Sequence, residues 1–251
     1  MRMKMLAIVT VVTTVSLLLA GRAWSESRAT DVPNGFFTFY GGFASAGNTN
    51  LKVTGLQGAP HIYAGHTYQW NIDNLSMKNS GWGGLGVGYW FKQMPVSIGG
   101  SFTMDFFQTA IKSQTVPATY RWDNGVTAAT PYTTAQRNLF QFVPGFNLIV
   151  GVPLKFVRPY AGAGPAIFMV RHDITNSAGK TASALDTKIG YNAFFGVEGF
   201  IARHFSVFGE VKYSEVRNLD FQPYPSTDPA YHNKYDKLTS KRIAVGGAFH
   251  F

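Results

Sequence analysis

Apolar residues alternate with small or polar ones along several stretches of the chain. The last of these, Lys241 to Phe251, is the clearest. Ile243, Val245, Gly247, Phe249 and Phe251 hold one parity; Arg242, Ala244, Gly246, Ala248 and His250 hold the other. A period of two places each set on one face of a β-strand. The same pattern sets Leu85, Val87, Tyr89 and Phe91 against Gly84, Gly86, Gly88 and Trp90. It sets Val96, Ile98, Gly100, Phe102, Met104 and Phe106 against Ser97, Gly99, Ser101, Thr103 and Asp105. Phe140 to Leu148, Lys188 to Glu198 and Ser206 to Ser214 repeat it. Segments 35–45 and 157–171 read as strands whose parity the pattern fixes less firmly, and they bring the count of expected strands to eight.

The charges indicate which face is inside. Lys188, Glu198, Glu210, Lys212 and Arg242 all fall on the less apolar parity. A closed barrel of eight strands has an interior just wide enough for side chains to fill. Rows of Phe, Tyr, Ile and Met from every strand would overfill it, whereas Gly, Ala, Ser and Asn fit. The apolar face must then point outward into lipid, and closure follows because an open edge would leave backbone groups unpaired in hydrocarbon. The expected fold is all-β: an eight-stranded antiparallel up-and-down transmembrane β-barrel, one domain over residues 26–251.

The connections alternate in length. Short links are expected at 92–95, 151–155 and 202–204, and long ones at 46–80, 110–136, 172–186 and 215–238. Short periplasmic turns and long external loops alternate in such barrels, so both ends of the barrel domain are expected on the periplasmic side. Phe36, Phe37, Phe39, Tyr89, Trp90, Phe91, Phe156, Tyr160, Phe205, Phe249 and Phe251 then map to one end, as an interfacial aromatic girdle would.

The N-terminus changes this picture only by supplying an address. Arg2 and Lys4 precede an apolar run, Met5 to Ala20, followed by small residues. That order is a secretory signal peptide, expected over residues 1–25 with cleavage after Ala23 or Ser25. Its removal takes away Arg2, Lys4 and Arg22 and no acid, so the balance falls from +9 to +6. Only 14% of residues are charged, against about 25% in ordinary soluble domains. A mean hydropathy of −0.02 with one long apolar run argues against a helical membrane bundle. With 0 cysteines, thiol chemistry, cysteine–zinc sites and disulfides are excluded.

Three segments carry a family resemblance: Arg158 to Pro165 (RPYAGAGP), Gly190 to Phe200 (GYNAFFGVEGF) and Phe205 to Tyr213 (FSVFGEVKY). They resemble the small outer-membrane β-barrels of the OmpA-like and opacity-like, porin-related group. The C-terminal Ala244 to Phe251 resembles that group's assembly signal, which implies that Phe249 and Phe251 are read by the barrel-insertion machinery. The resemblance implies a bacterial outer-membrane location, with outer-membrane lipid and lipopolysaccharide as surroundings. It implies no single activity, because members include adhesins, structural proteins and weak channels.

Chemistry-bearing motifs are sparse. His61 and His66 share a glycine-rich loop with Asp73 as the nearby acid, which falls short of a rigid metal site; no metal or cofactor is expected. Gly83 to Gly88 has the wrong spacing and context for a dinucleotide loop and fits the inner face of a narrow barrel. Ser214, Glu215 and His232 could approach as a Ser–His–acid set for lipid modification, but polar residues of an external loop are the better reading of them. No catalytic residue is therefore assigned, and no enzyme is expected. The strongest constellation is Glu198, Glu210, Lys212 and Arg242, a lumenal charge network read as a salt-bridged plug; a charged constriction of a narrow pore is the alternative. Lys92, Lys155, Arg158 and Arg203 lie near the short links, where bases could contact lipid phosphates. The segment Phe221 to Tyr231, rich in Pro and Tyr, reads equally as a recognition surface and as a stiffened loop that resists proteases. The expected role is structural or surface-interacting through four external loops, with an unidentified extracellular ligand and no nucleic acid; a narrow channel for ions or small solutes is the alternative.

Overall fold

The computed structural model describes residues 32–56, 65–92, 96–134, 137–175, 181–222 and 231–251. The expected signal peptide lies outside the described residues. Thirteen strands form one sheet: β1 (Gly35–Ala46), β2 (Thr49–Leu56), β3 (Thr67–Leu75), β4 (Met77–Lys78), β5 (Ser80–Lys92), β6 (Ser97–Ile111), β7 (Gln114–Trp122), β8 (Thr127–Thr134), β9 (Arg137–Gly151), β10 (Val157–Thr175), β11 (Thr181–Ala202), β12 (Phe205–Phe221) and β13 (His232–His250).

Eight of them close a ring in the order β1, β5, β6, β9, β10, β11, β12, β13. Every neighbouring pair is antiparallel. The seam joins β1 to β13, from Phe36 opposite His250 to Ala46 opposite Ser240. Gly35 and Phe251 exchange two further backbone hydrogen bonds of 3.0 and 2.9 Å beyond it. The chain is thus an eight-stranded antiparallel transmembrane β-barrel, as its alternation requires.

The outward parity is apolar all the way round. Phe39, Leu85, Ile98, Phe146, Ile189, Val211 and Phe249 are exposed, Ile189 to 78%. A surface of this extent exceeds the apolar patches that soluble monomers tolerate in water, and lipid is the solvent that fits it. Segments 35–45 and 157–171 now have a parity. Phe37, Phe39 and Phe43 face out, while Phe36, Tyr40, Arg158 and Tyr160 face in.

Two expectations need correction. The girdle loses Phe36, Trp90 and Tyr160, which point into the lumen and pack there with Phe194 and Ile149. The described parts of the long connections are also largely strand and not loop. Strands β10 to β13 run well beyond the apolar band. The first two long connections fold into β2, β3, β7 and β8, which extend the sheet from β13. Their inner face is apolar: Leu51 and Val53 of β2 lie opposite Ile72 and Trp70 of β3, and Tyr120 of β7 lies opposite Trp70. Strand β8 ends the sheet, and its Pro131 blunts that edge against further pairing.

The upper part of the β12–β13 hairpin keeps its inner face through a matched irregularity. Arg217 pairs with Lys237, and the next pair is Leu219 with Tyr235. Asn218 takes a positive φ of 57° and drops out of the ladder together with Asp236. Asn tolerates this left-handed conformation better than most side chains. The step switches the inward parity, so that Val216, Leu219 and Phe221 are all buried.

Large side chains enter the narrow lumen because glycine faces them. A Cβ on Gly84 would lie 2.5 Å from Tyr40 Cε2 and 2.7 Å from the Met104 carbonyl oxygen. Gly88 similarly faces the Phe36 ring, and Gly196 faces the Tyr160 ring. Gly84→Val therefore overpacks the lumen against backbone and is expected to cost about 1–3 kcal/mol. Urea unfolding of the lipid-inserted barrel measures it; an unchanged midpoint would show that the lumen has slack.

Candidate functional site

The lumen is the site that the sequence pointed to, and it is filled in layers. At the short-turn end, Arg158 of β10 is fully buried, its guanidinium 4.7 Å above the Trp90 ring and 5.0 Å from the Phe200 ring. Glu198 of β11 lies 3.7 Å away. Ser206 donates a hydrogen bond of 2.6 Å to Glu198 Oε1, and His250 Nε2 lies 3.0 Å from the same oxygen. Placed there, Arg158 does not reach lipid phosphates as its position beside a short link suggested.

The second layer is a cavity of about 60 Å³ between this cluster and the middle of the barrel. Phe36, Trp90, Phe194 and Phe208 supply its apolar walls, and Glu198, Glu210 and Lys212 reach it. Tyr160 donates a hydrogen bond of 3.1 Å to Glu210 Oε2. The space holds no more than a few water molecules.

The third layer is an ion cluster at mid-barrel. Asp105 of β6 accepts from Lys212 Nζ at 2.6 Å and from Arg242 Nη1 at 2.9 Å. The Tyr40 hydroxyl donates to its other oxygen at 2.7 Å. Arg242 also donates to Ser214 Oγ, which in turn donates to Asn192 Oδ1 at 2.6 Å. The Arg242 guanidinium is sandwiched between Trp82 and Phe107, 4.6 and 4.7 Å from their ring centroids. Asp105, Lys212 and Arg242 are all essentially excluded from solvent. Charges in so dry a site are tolerated only when paired and hydrogen-bonded.

The outermost layer is apolar. Leu139, Val143, Phe168, Val170, Val216, Leu219, Phe221 and Leu238 pack with Leu51, Ile72 and Leu75 of the sheet extension. Trp70, Tyr132 and Tyr231 cover this core at its rim. Arg137 ties the rim together through Asn233 at 2.8 Å and Tyr132 at 3.4 Å. Burial, reinforced by the charge of Arg137, pushes His172 down to about 3, so it stays neutral. Its Nε2 lies 3.2 Å from the Tyr235 hydroxyl.

The four charged residues singled out from sequence are thus divided between clusters. Lys212 and Arg242 meet at Asp105, Glu198 belongs to the short-turn end, and Glu210 lies between with Tyr160. Sequence reasoning placed Asp105 on the inner parity but left it out of the network. It gave Arg158 a surface role and gave Tyr40 none. Each lay on a lumenal parity, and pairing every inward charge with an opposite one would have found Asp105. Phe249 and Phe251 both face outward at the seam.

Other motifs disperse. Ser214 points into the lumen beside Arg242, whereas Glu215 is held by Tyr213 at 2.5 Å and Arg217 at 2.6 Å. His232 Nδ1 lies 2.8 Å from Asp220. The Ser214–Glu215–His232 set does not assemble. Burial tends to raise the Asp220 carboxyl, but hydrogen bonds from Lys234 and His232 outweigh it and hold that carboxyl below its usual range. His66 Nδ1 lies 2.7 Å from Asp123, while His61 is outside the described residues. No group of three or more metal-ligating side chains occurs among the described residues. Most of the Pro- and Tyr-rich segment, 223–230, and the 93–95 link fall outside them too.

No family model and no curated protein sequence matches the chain. Among solved structures, the outer membrane protein OprG of Pseudomonas aeruginosa is similar, with 15% identity and a TM-score of 0.50. The match covers 88% of this chain and 97% of OprG. Neisserial surface protein A matches at 11% identity and a TM-score of 0.48, over 86% and 97% of the two chains. The outer membrane protease OmpT of Escherichia coli matches at 8% identity and a TM-score of 0.45, over 91% and 100%. The likeness to OprG is one of fold: this chain has the architecture of an outer-membrane β-barrel.

Proposed function

We propose that this chain resides in a bacterial outer membrane as a sealed, non-enzymatic barrel that acts through its external face, as a structural or surface-interacting protein. The observation that carries the reading is the closed lumen. The Arg158–Glu198–His250 cluster, the Asp105–Lys212–Arg242 cluster and the apolar outer core lie one above another, and the cavity between the ion clusters is small. Placing the short turns on the periplasmic side puts four long connections outside. Two of them are built into the sheet β2–β3–β7–β8, a rigid platform for contact. Glu215 and His232 are committed to other partners, which supports a role without catalysis. In the same reading, residues 1–25 direct export, and the barrel-insertion machinery recognises Phe249 and Phe251.

The cavity at Glu210 and the surrounding charges favour a second reading, a narrow channel. Planar-bilayer recording of the purified barrel separates the two. Silence at all voltages is expected; reproducible conductance steps would overturn the sealed reading and establish the channel.

A further inference from the structure

The outward face of β12 and β13 changes character above Val211 and Ile243, which are opposite one another. The next pairs are Tyr213 with Lys241, Glu215 with Thr239, and Arg217 with Lys237. Beyond the bulge, Lys234 of β13 lies directly opposite Lys52 of β2. Two like-charge pairs thus face each other across neighbouring strands, an arrangement that costs stability unless an anion lies between. The acids nearby only partly offset them. Glu215 is almost fully buried under Tyr213 and Arg217, Asp220 is bonded to Lys234 and His232, and Asp236 falls in the bulge. Arg217 keeps 68% of its side chain exposed, and Lys237 and Lys241 are also exposed.

The position of the patch indicates its partner. On β12 and β13 it begins where the lipid-facing apolar residues end, beside Tyr191 and Tyr213, whose rings lie 6.0 Å apart, while Ile189 and Leu185 of β11 continue the apolar face past Tyr191. Tyrosine at this depth marks the boundary between hydrocarbon and headgroups. A cation row immediately above it meets the layer where lipid phosphates lie. Arg217, oriented by Glu215 through a bond of 2.6 Å, offers the planar fork that suits a phosphate, and the lysines add point charges.

We propose that Arg217, Lys237 and Lys241 form a docking site for the phosphate-bearing headgroup of an outer-leaflet lipid, with Lys234 and Lys52 extending it away from the membrane. The site rests on the membrane reading above and adds a specific ligand class and surface to it.

The test inserts the full barrel into phosphatidylcholine nanodiscs containing either bisphosphorylated lipid A or the same lipid after phosphatase treatment. Lipid retained through detergent purification is then quantified. The wild type is expected to retain the phosphorylated form about tenfold better. R217Q/K237Q/K241Q should lose that preference while keeping heat-modifiable migration, and R217K/K237R/K241R should keep it. Millimolar inorganic phosphate should leave the lipid bound. Equal retention of both lipids by the wild type, or undiminished preference in the Gln variant, would overturn the site. Displacement by inorganic phosphate would reduce it to an ion site and overturn the lipid assignment. Failure of the wild type to insert at all would remove the membrane reading itself and the site with it.

Discussion

Asp105→Ala destabilises the barrel by about 3–5 kcal/mol, the cost of leaving buried charge without its partner. Asp105 accepts from Lys212 at 2.6 Å and Arg242 at 2.9 Å, and none of the three side chains is more than 1% exposed. Without the carboxylate, Lys212 and Arg242 lose the acid they share, and the acids that remain on the adjoining cavity, Glu198 and Glu210, have partners of their own. Tyr40 and Ser214 supply only neutral partners. Urea unfolding of the barrel refolded into lipid vesicles measures the loss. A companion variant, D105A/K212M/R242M, should recover much of it, because replacing a whole buried ion cluster with packed apolar groups is often close to neutral. If Asp105→Ala unfolds at the wild-type midpoint, the mid-barrel cluster contributes nothing and the lumen is wetter than its geometry implies.

Trp82→Ala is expected to cost a similar amount, about 3–5 kcal/mol, through a different term. Trp82 is 6% exposed and fills the lumen beside Tyr40, with ring centroids 5.3 Å apart. Its indole N–H donates to the Ile243 carbonyl at 3.1 Å, and Arg242 stacks on its face at 4.6 Å. Truncation leaves a cavity and takes away both polar contacts. Trp82→Phe keeps the stacking surface and should recover more than half of the loss. Both variants should remain silent in a planar bilayer, since the short-turn cluster and the outer core still close the barrel. Conductance in Trp82→Ala would show that this one ring is the seal.

Much of the architecture was written in the alternation. The lipid-facing and lumenal parities of β5, β6, β9, β11, β12 and β13 follow from the strict period of two, because a one-residue error would put every apolar side chain into the lumen. Strand β1 was harder to read, since Phe36, Phe37 and Phe39 are alike in hydrophobicity although Phe36 faces the opposite way. Strands β2, β3 and β7 were legible in principle. Leu51 and Val53 alternate with Asn50, Lys52 and Thr54, and Tyr68, Trp70 and Ile72 alternate with Gln69, Asn71 and Asp73. Their length and polarity matched the expectation of a loop, and nothing local shows that they cover an apolar outer core.

The site was less legible than the fold. Glu198, Glu210, Lys212 and Arg242 were visible as inward charges, but their partners were not. Arg158 was placed at a membrane surface because it lies near a short link. Period two says that its side chain points in or out; only the barrel shows that it reaches Glu198, Trp90 and Phe200. The glycines reveal the same gap. Sequence reasoning assigned Gly84, Gly86 and Gly88 to a narrow interior, yet which aromatic each one accommodates depends on the neighbouring strand's register.

The sequence by itself determined that this chain makes eight two-faced strands, that their apolar face requires lipid, and that the sheet must close. Those are consequences of side-chain periodicity and of hydrogen-bond satisfaction in hydrocarbon, both local to the strands. The tertiary structure alone decided what fills the lumen. Asp105 and Arg242 are 137 residues apart, and they meet across the lumen because the register of the closed ring brings β6 and β13 to the same height.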